Sequence, residues 1–289
     1  MRGTEETNIM EKKAREAQEE GAEGTVKKPL YVNTCVFGTE KMDRVQHYAE
    51  AFGDQIGFEV LPMFDLPVFE GKLEKCMPLL GKKRISFHEP VFEAEHTALR
   101  GTPEYDLTMW HIRKTLDFAR RLHSSHLTYH LNNCAVPSEN KERMLQVSLE
   151  NLDEIRALFE PIGCKVFVEN TGTIVQGNML LDQDEFTQLC RKEQFDVLID
   201  IGHANANGWD LERLIDDLAD QIRAYHLHNN DGCHDQHRRL HDGTIDFDRL
   251  YRKMAERTPE AEMVIEYVRP DMEGEGLDVD IREMLSKME

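Results

Sequence analysis

The chain has 289 residues, 40% of them hydrophobic and 31% charged, and its formal net charge at pH 7 is −20. That length carries one large core and suits either a single α/β barrel or two smaller domains. A protein this acidic repels nucleic acid unless it keeps a local basic groove, which weighs against a DNA-binding role. No apolar stretch approaches the length of a membrane helix, so no membrane partner is expected.

The N-terminus is charged and lacks the apolar core of a signal peptide. Cys35, Cys76, Cys134, Cys164, Cys190 and Cys233 are scattered, with no C-x-x-C pair. They read as free thiols in a reducing compartment, several of them small buried hydrophobes. A cytoplasmic location is the expectation.

Residues 1–28 are rich in Glu, Lys, Ala and Gly with almost no large apolar residues, which predicts a solvated extension outside the fold. From 29 to 289 strand-like and helix-like stretches alternate. Strands are predicted at Leu30–Cys35, Gly57–Leu61, Arg84–His88, His126–Leu131, Lys165–Glu169, Val197–Asp200, Arg223–His228 and Met263–Tyr267. Helices are predicted at Lys41–Phe52, Phe69–Leu80, Tyr105–Leu122, Ser138–Phe159, Asp182–Lys192, Asp210–Gln221, Phe247–Glu256 and Asp278–Lys287. Leu107, Trp110, His111, Lys114, Phe118 and Leu122 recur at helical spacing, and Ser138 and Asp210 are placed to cap the helices they open. The strands are short and almost continuously apolar, as in a parallel sheet covered on both faces. Eight such units fit a single (β/α)8 TIM barrel. The alternative, a doubly wound open sheet, would usually show a Gly-rich turn after an early strand, and no G-x-G-x-x-G follows Leu30–Cys35.

The strand ends carry the chemistry. Strand three ends at His88, four at His130, five at Glu169, six at Asp200, seven at His226 or His228, and eight at Glu266. In a barrel all these ends open onto one face. His203 follows in D-I-G-H, and Asp235 and His237 follow in D-Q-H. Three carboxylates buried together without a cation would be strongly unfavourable, so the pattern predicts a divalent metal with mixed N/O ligation.

The segments VFVENTG, VLIDIGHANANG, YHLHNNDGCHDQHRRLHDGTIDF and MVIEY resemble the xylose isomerase-like barrel superfamily. That group holds sugar and sugar-phosphate isomerases and epimerases, inositol-catabolism enzymes and apurinic-site nucleases of the endonuclease IV type. The resemblance covers residues 30–270 and is strongest from Glu169 onward. It implies Glu169, Asp200, His226 and Glu266 as the ligands of a single metal, as in ketose 3-epimerases. Here His226 is chosen over His228 by counting back from the N-D segment. It implies His203 as a contact to substrate oxygens or a second metal, and Asp235, His237, His88 and His130 as candidates for the extra metals of the nuclease branch. His241 departs from the Gly that the family often has there.

The function so implied is a metal-dependent sugar or sugar-phosphate isomerase/epimerase. The metal, Mn2+ or Zn2+ before Mg2+ or Co2+, would polarise a carbonyl, with Glu169 and Glu266 moving protons through an enediolate. Three carboxylates against one divalent cation favour a neutral sugar; a sugar phosphate would call on Arg238 and Arg239 in the loop after strand seven. The alternatives are an apurinic-site nuclease with a multi-metal site, a dehydratase of an inositol-type ketone, and a non-catalytic binding protein. A homo-oligomer is compatible with the sequence, which does not specify one.

Overall fold

The structure, a computed structural model, describes residues 29–268 and 275–288; the extension expected at 1–28 lies outside the described residues. Eight parallel strands close into a barrel in chain order, with β8 pairing back to β1. They are β1 (Leu30–Asn33), β2 (Ile56–Val60), β3 (Ile85–Phe87), β4 (His126–His130), β5 (Lys165–Glu169), β6 (Val197–Asp200), β7 (Ile222–Leu227) and β8 (Glu262–Ile265). The helices outside are α1 (Val45–Phe52), α2 (Phe69–Leu80), α3 (Pro103–Leu122), α4 (Lys141–Phe159), α5 (Gln183–Glu193), α6 (Ile201–Ala206), α7 (Leu211–Leu218), α8 (Phe247–Arg257) and α9 (Glu275–Lys287). This is the single (β/α)8 barrel that the alternation predicts.

Local signals explain most boundaries. Asp210 caps α7 by accepting from the Arg213 amide, as expected. Asp182 and Glu185 form a reciprocal capping box at the start of α5. Ser138 does not cap α4: it lies in a 3-10 turn, Ser138–Asn140, and its hydroxyl faces Glu139 instead. The predicted start of the first helix at Lys41 is likewise 3-10, and α-geometry begins at Val45. Short α6 is absent from the sequence reading, because Gly202 and Asn205 mask its periodicity. On α3, His111, Phe118 and Leu122 face the core as expected, but Leu107 and Trp110 do not. Trp110 is 45% exposed and lies edge-on to Phe64, with Lys114 over its ring.

The main core fills the space between strands and helices. Inside the barrel the packing is different. Phe167, Leu198 and Ala224 form a small cluster of their own, and much of the remaining interior is polar where branched aliphatics would be usual. Alternation along β4 turns His126, Thr128 and His130 inward and Tyr129 outward, where its hydroxyl donates to the Ser148 carbonyl on α4. Register then stacks the interior groups: Asn33 is level with Glu59, Glu59 with Ser86, His130 with Glu169, and Asp200 with His226.

Gly57 makes room for this interior. A Cβ there would lie 2.6 Å from the Arg84 carbonyl oxygen and 2.8 Å from the Tyr31 ring. Gly57→Ala is therefore expected to cost about 1–3 kcal/mol of stability by overpacking. Thermal denaturation checks this; an unchanged melting temperature would show that β1 and β2 can separate freely.

Candidate metal centre

The strand tips converge at the C-terminal mouth. Glu169 at the end of β5, Asp200 at the end of β6 and Glu266 just past β8 are 1%, 0% and 5% exposed. All three reach one atom: His226 Nδ1 lies 3.6 Å from Glu169, 3.8 Å from Asp200 and 3.1 Å from Glu266. His228, two residues further along the same inward face, has its Nε2 3.0 Å from Asp200.

The other predicted residues join this ring. His88 Nε2 is 3.8 Å from Glu169 and 3.7 Å from Glu266. His130 Nε2 is 3.0 Å from Glu169, on the adjacent register position. His203 bridges the centre to the β7 loop, with Nδ1 3.3 Å from Glu169 and Nε2 3.4 Å from Asp235. His237 Nε2 lies 3.0 Å from Asp235. Donor atoms from His88, His130 and Glu169, from His88, His226 and Glu266, and from His203, Asp235 and His237 cluster within metal-binding reach of one another.

Several imidazoles are already aimed. His88, His203 and His237 each donate Nδ1–H to a backbone carbonyl, those of Glu89, Asn170 and Glu266 respectively. That leaves Nε2 for the site, an orientation typical of metal-ligating histidines. Backbone constraints serve the same end. Asp200 caps α6 through the His203 amide at 2.5 Å, so D-I-G-H fixes the His203 position. A Cβ on Gly202 would fall inside the His228 ring, which explains the glycine of that motif. His237 holds a left-handed φ of 44°, a strained conformation for histidine that its position over the centre depends on.

Electrostatics follow from the crowding. Burial alone would raise the Glu169 carboxyl, but the imidazoles of His130 and His226 hold it well below the usual range. Burial likewise works against Asp200, which His203 and His228 hold down at about 2. In return His130 is raised to about 9, against its burial, by Glu169 and Glu89, and His226 and His203 are raised well above the ordinary histidine value. Even so, Glu169 Oε1, Asp235 Oδ1 and both nitrogens of His226 have no aligned hydrogen-bond partner. Buried acceptors left open around one point suit a divalent cation.

Some groups that shape the centre escaped the sequence reading. Glu59, fully buried beneath the ring, is 2.9 Å from His226 Nε2 and accepts from Asn33, Ser86 and Thr128. Its burial is outweighed first by His226, which holds it at about 2. Asn33 Nδ2 donates to both Glu59 and Glu266, at 2.8 and 3.0 Å. Glu59 sits near the end of an apolar run, IGFEV, so the rule that found Glu169 also applied to it. Glu89 and His96 form a buried pair behind His130, joined through Asn133, and no spacing pattern announces them.

The arginines named for phosphate binding are placed differently. Arg239 pairs with Asp280 on α9 and donates to the Gly276 carbonyl. Arg238 pairs through its backbone with Asn229 and does not line the cavity over the centre. His241 is exposed and pairs with Glu283. All six cysteines are free; Cys35, Cys164 and Cys190 are buried, as expected for small hydrophobes, while Cys134 and Cys233 are exposed. No helix among the described residues is long and apolar enough to cross a membrane.

The family described as the xylose isomerase-like TIM barrel matches residues 102–288. Among solved structures the chain is similar to a D-tagatose 3-epimerase-like protein, at 20% identity over 90% of this chain and 96% of that one, with a TM-score of 0.73. It is similar also to the IOLI protein with a zinc atom, at 16% identity over 90% and 94% of the chains and a TM-score of 0.67. A third is an AP endonuclease, family 2, from Brucella melitensis, at 17% identity over 87% and 96%, TM-score 0.66. At these identities the likeness shows the fold alone. No curated protein matches the chain.

Burial raises the Glu89 carboxyl to about 8, with His130 and Asn133 pulling it down. The folded protein thus keeps a proton there that the unfolded chain releases near 4.5. This contribution to stability is intact below that value and is lost as pH rises toward 8. Glu89→Gln keeps the shape and stays neutral. Relative to the parent it is expected to gain roughly 1–3 kcal/mol between about pH 5 and about pH 8. Denaturant titration of both proteins at the two pH values decides it; a difference that does not change with pH would place the charged form of Glu89 in the native state.

Proposed function

The chain belongs to the xylose isomerase-like TIM-barrel family, and on that premise we propose that it is a divalent-metal-dependent isomerase or epimerase of neutral sugars. The observation that carries the reading is the convergence of Glu169, Asp200 and Glu266 on His226 Nδ1, all four side chains being buried. Those four residues would hold the metal, Mn2+ or Zn2+ by the chemistry of the donor set. Bound there, the ion supplies Lewis acidity to a sugar carbonyl and the hydroxyl beside it.

The chain's own residues do the rest. Glu169 is kept ionised by its imidazole neighbours and takes the proton from the carbon next to the carbonyl. Glu266, its carboxyl also lowered by His226 and His237 against its burial, lies 3.7 Å from the same His88 Nε2 that is 3.8 Å from Glu169. It acts on the opposite face of the substrate, which is the arrangement that inverts a stereocentre. Glu59 and Asn33 hold His226 and Glu266 from below. A cytoplasmic location belongs to the same reading.

A second reading is an apurinic-site nuclease, favoured by the clustering of His88, His130, His203, Asp235 and His237 around the same ring. Metal stoichiometry separates the two. About one equivalent per chain, with turnover of a ketose, supports the isomerase/epimerase; three equivalents of zinc with cleavage of an abasic duplex supports the nuclease.

Glu169→Gln is expected to lower turnover on the responding ketose by at least about 100-fold while part of the metal stays bound. Full activity in that variant would remove Glu169 as the base. Glu59→Gln, which touches no substrate, is expected to weaken metal binding about 10–100-fold. Competition against a chromophoric chelator measures it, and unchanged affinity would mean that His226 needs no support from below.

A further inference from the structure

The cavity over the centre is about 570 Å3 and divides by strand order into arcs of different chemistry. After β8, β1, β2 and β3, which are neighbours in the closed barrel, the wall is largely apolar: Val268, Cys35, Leu61, Met63, Val91 and Phe92. After β4 and β5 it is carboxamide and hydroxyl, from Asn132, Asn133, Thr171, Gln176 and Asn178. His203, Asp235 and His237 close the ring after β6 and β7. Among the described residues no Lys or Arg lines the cavity.

Two observations make these arcs informative. Phe92 and Val268 are 46% and 48% exposed at the mouth, on opposite ends of the apolar arc. Large apolar side chains facing one cavity from separate loops mark a surface that is covered when occupied. On the polar arc, Asn132 is 2% exposed. Its Nδ2 donates to the carbonyls of Cys134 and Asn178, at 2.9 Å each, so the amide orientation is set and Oδ1 is left without a donor. Thr171 and Gln176 on the same arc line the cavity and offer donors and acceptors to hydroxyl groups.

We propose that the substrate is an uncharged, carbonyl-bearing sugar or polyol that carries an apolar substituent. The substituent, an aryl or alkyl group, packs on the β8–β3 arc, and the hydroxyls face the β4–β5 arc. This rests on the isomerase/epimerase reading and goes beyond it. A bare ketose would leave Phe92, Met63 and Val268 wet, and a phosphate would meet no cation among the described lining residues.

The test is isothermal calorimetry on the full-length, zinc-loaded protein with three probes that each present a carbonyl: the glucosides phenyl 3-keto-β-D-glucopyranoside and methyl 3-keto-β-D-glucopyranoside, and glucose 6-phosphate, whose open chain bears an aldehyde. The phenyl glucoside is expected to bind at least about tenfold tighter than the methyl glucoside, and glucose 6-phosphate weakest. In the double variant Phe92→Ala/Val268→Ala, both positions being half-exposed, the phenyl-to-methyl ratio is expected to fall to near one. Zinc content per chain is measured on the same samples. Equal affinity for the two glucosides, no binding of either, a ratio untouched by the double variant, or tightest binding by glucose 6-phosphate would each overturn the apolar subsite. Failure of the chain to retain either zinc or manganese would instead sink the metal-dependent reading, independently of the ratio.

Discussion

Four buried carboxylates govern this protein. Glu59, Glu169, Asp200 and Glu266 are at most 5% exposed and lie in or just beneath one ring. Each alone would cost several kcal/mol to bury ionised. They persist because the chain surrounds them with imidazoles, of which His130, His203, His226 and His237 are all shifted toward the protonated form. Protons on nitrogen and a divalent cation are interchangeable ways of meeting this same constraint. The arrangement therefore couples the chemistry of the mouth to the stability of the barrel.

That constraint propagates downward. An aliphatic layer beneath the ring would offer His226 no partner for Nε2 and Glu266 no donor for Oε1. Instead Glu59, Asn33, Ser86 and Thr128 make a second polar layer, and Glu59 remains ionised because donors from three strands and His226 reach it together. Purely apolar packing inside the barrel is left to Phe167, Leu198 and Ala224, with His126 stacked on Phe167. Replacing one member of such a network leaves its partner buried and unpaired, so the effects should be larger than single contacts suggest and not additive.

The strand tips were legible in the sequence for a simple reason. Each apolar run ends in a residue that an apolar run does not need, and parallel barrel topology brings all such ends together. Glu169, Asp200, Glu266 and the pair His226/His228 follow from that rule, and the choice of His226 within the pair comes from the resemblance to the barrel superfamily. Glu59 obeys it too, but second strands pass for scaffold when no metal motif surrounds them. Glu89, His96 and Asn132 lie beyond it: their roles come from loop conformations after β3 and β4, which periodicity does not encode. Arg239 shows the opposite failure. Its position next to D-Q-H places it near the site in sequence, whereas Asp280 draws it to α9 in space.

The separation between ring and rim is the last consequence. The ring is fixed by strand ends, by carbonyl-anchored imidazoles and by the strained His237, so its geometry tolerates little change. The rim is contributed one loop at a time, and of the four proposed ligands the arc from β8 to β3 contains only Glu266, with His88 beside it at its base. Side chains such as Met63, Phe92 and Val268 can therefore vary without disturbing the buried charges. Under the proposed function, a barrel built this way would keep one proton-transfer apparatus while apolar contacts further out along each loop select what is presented to it.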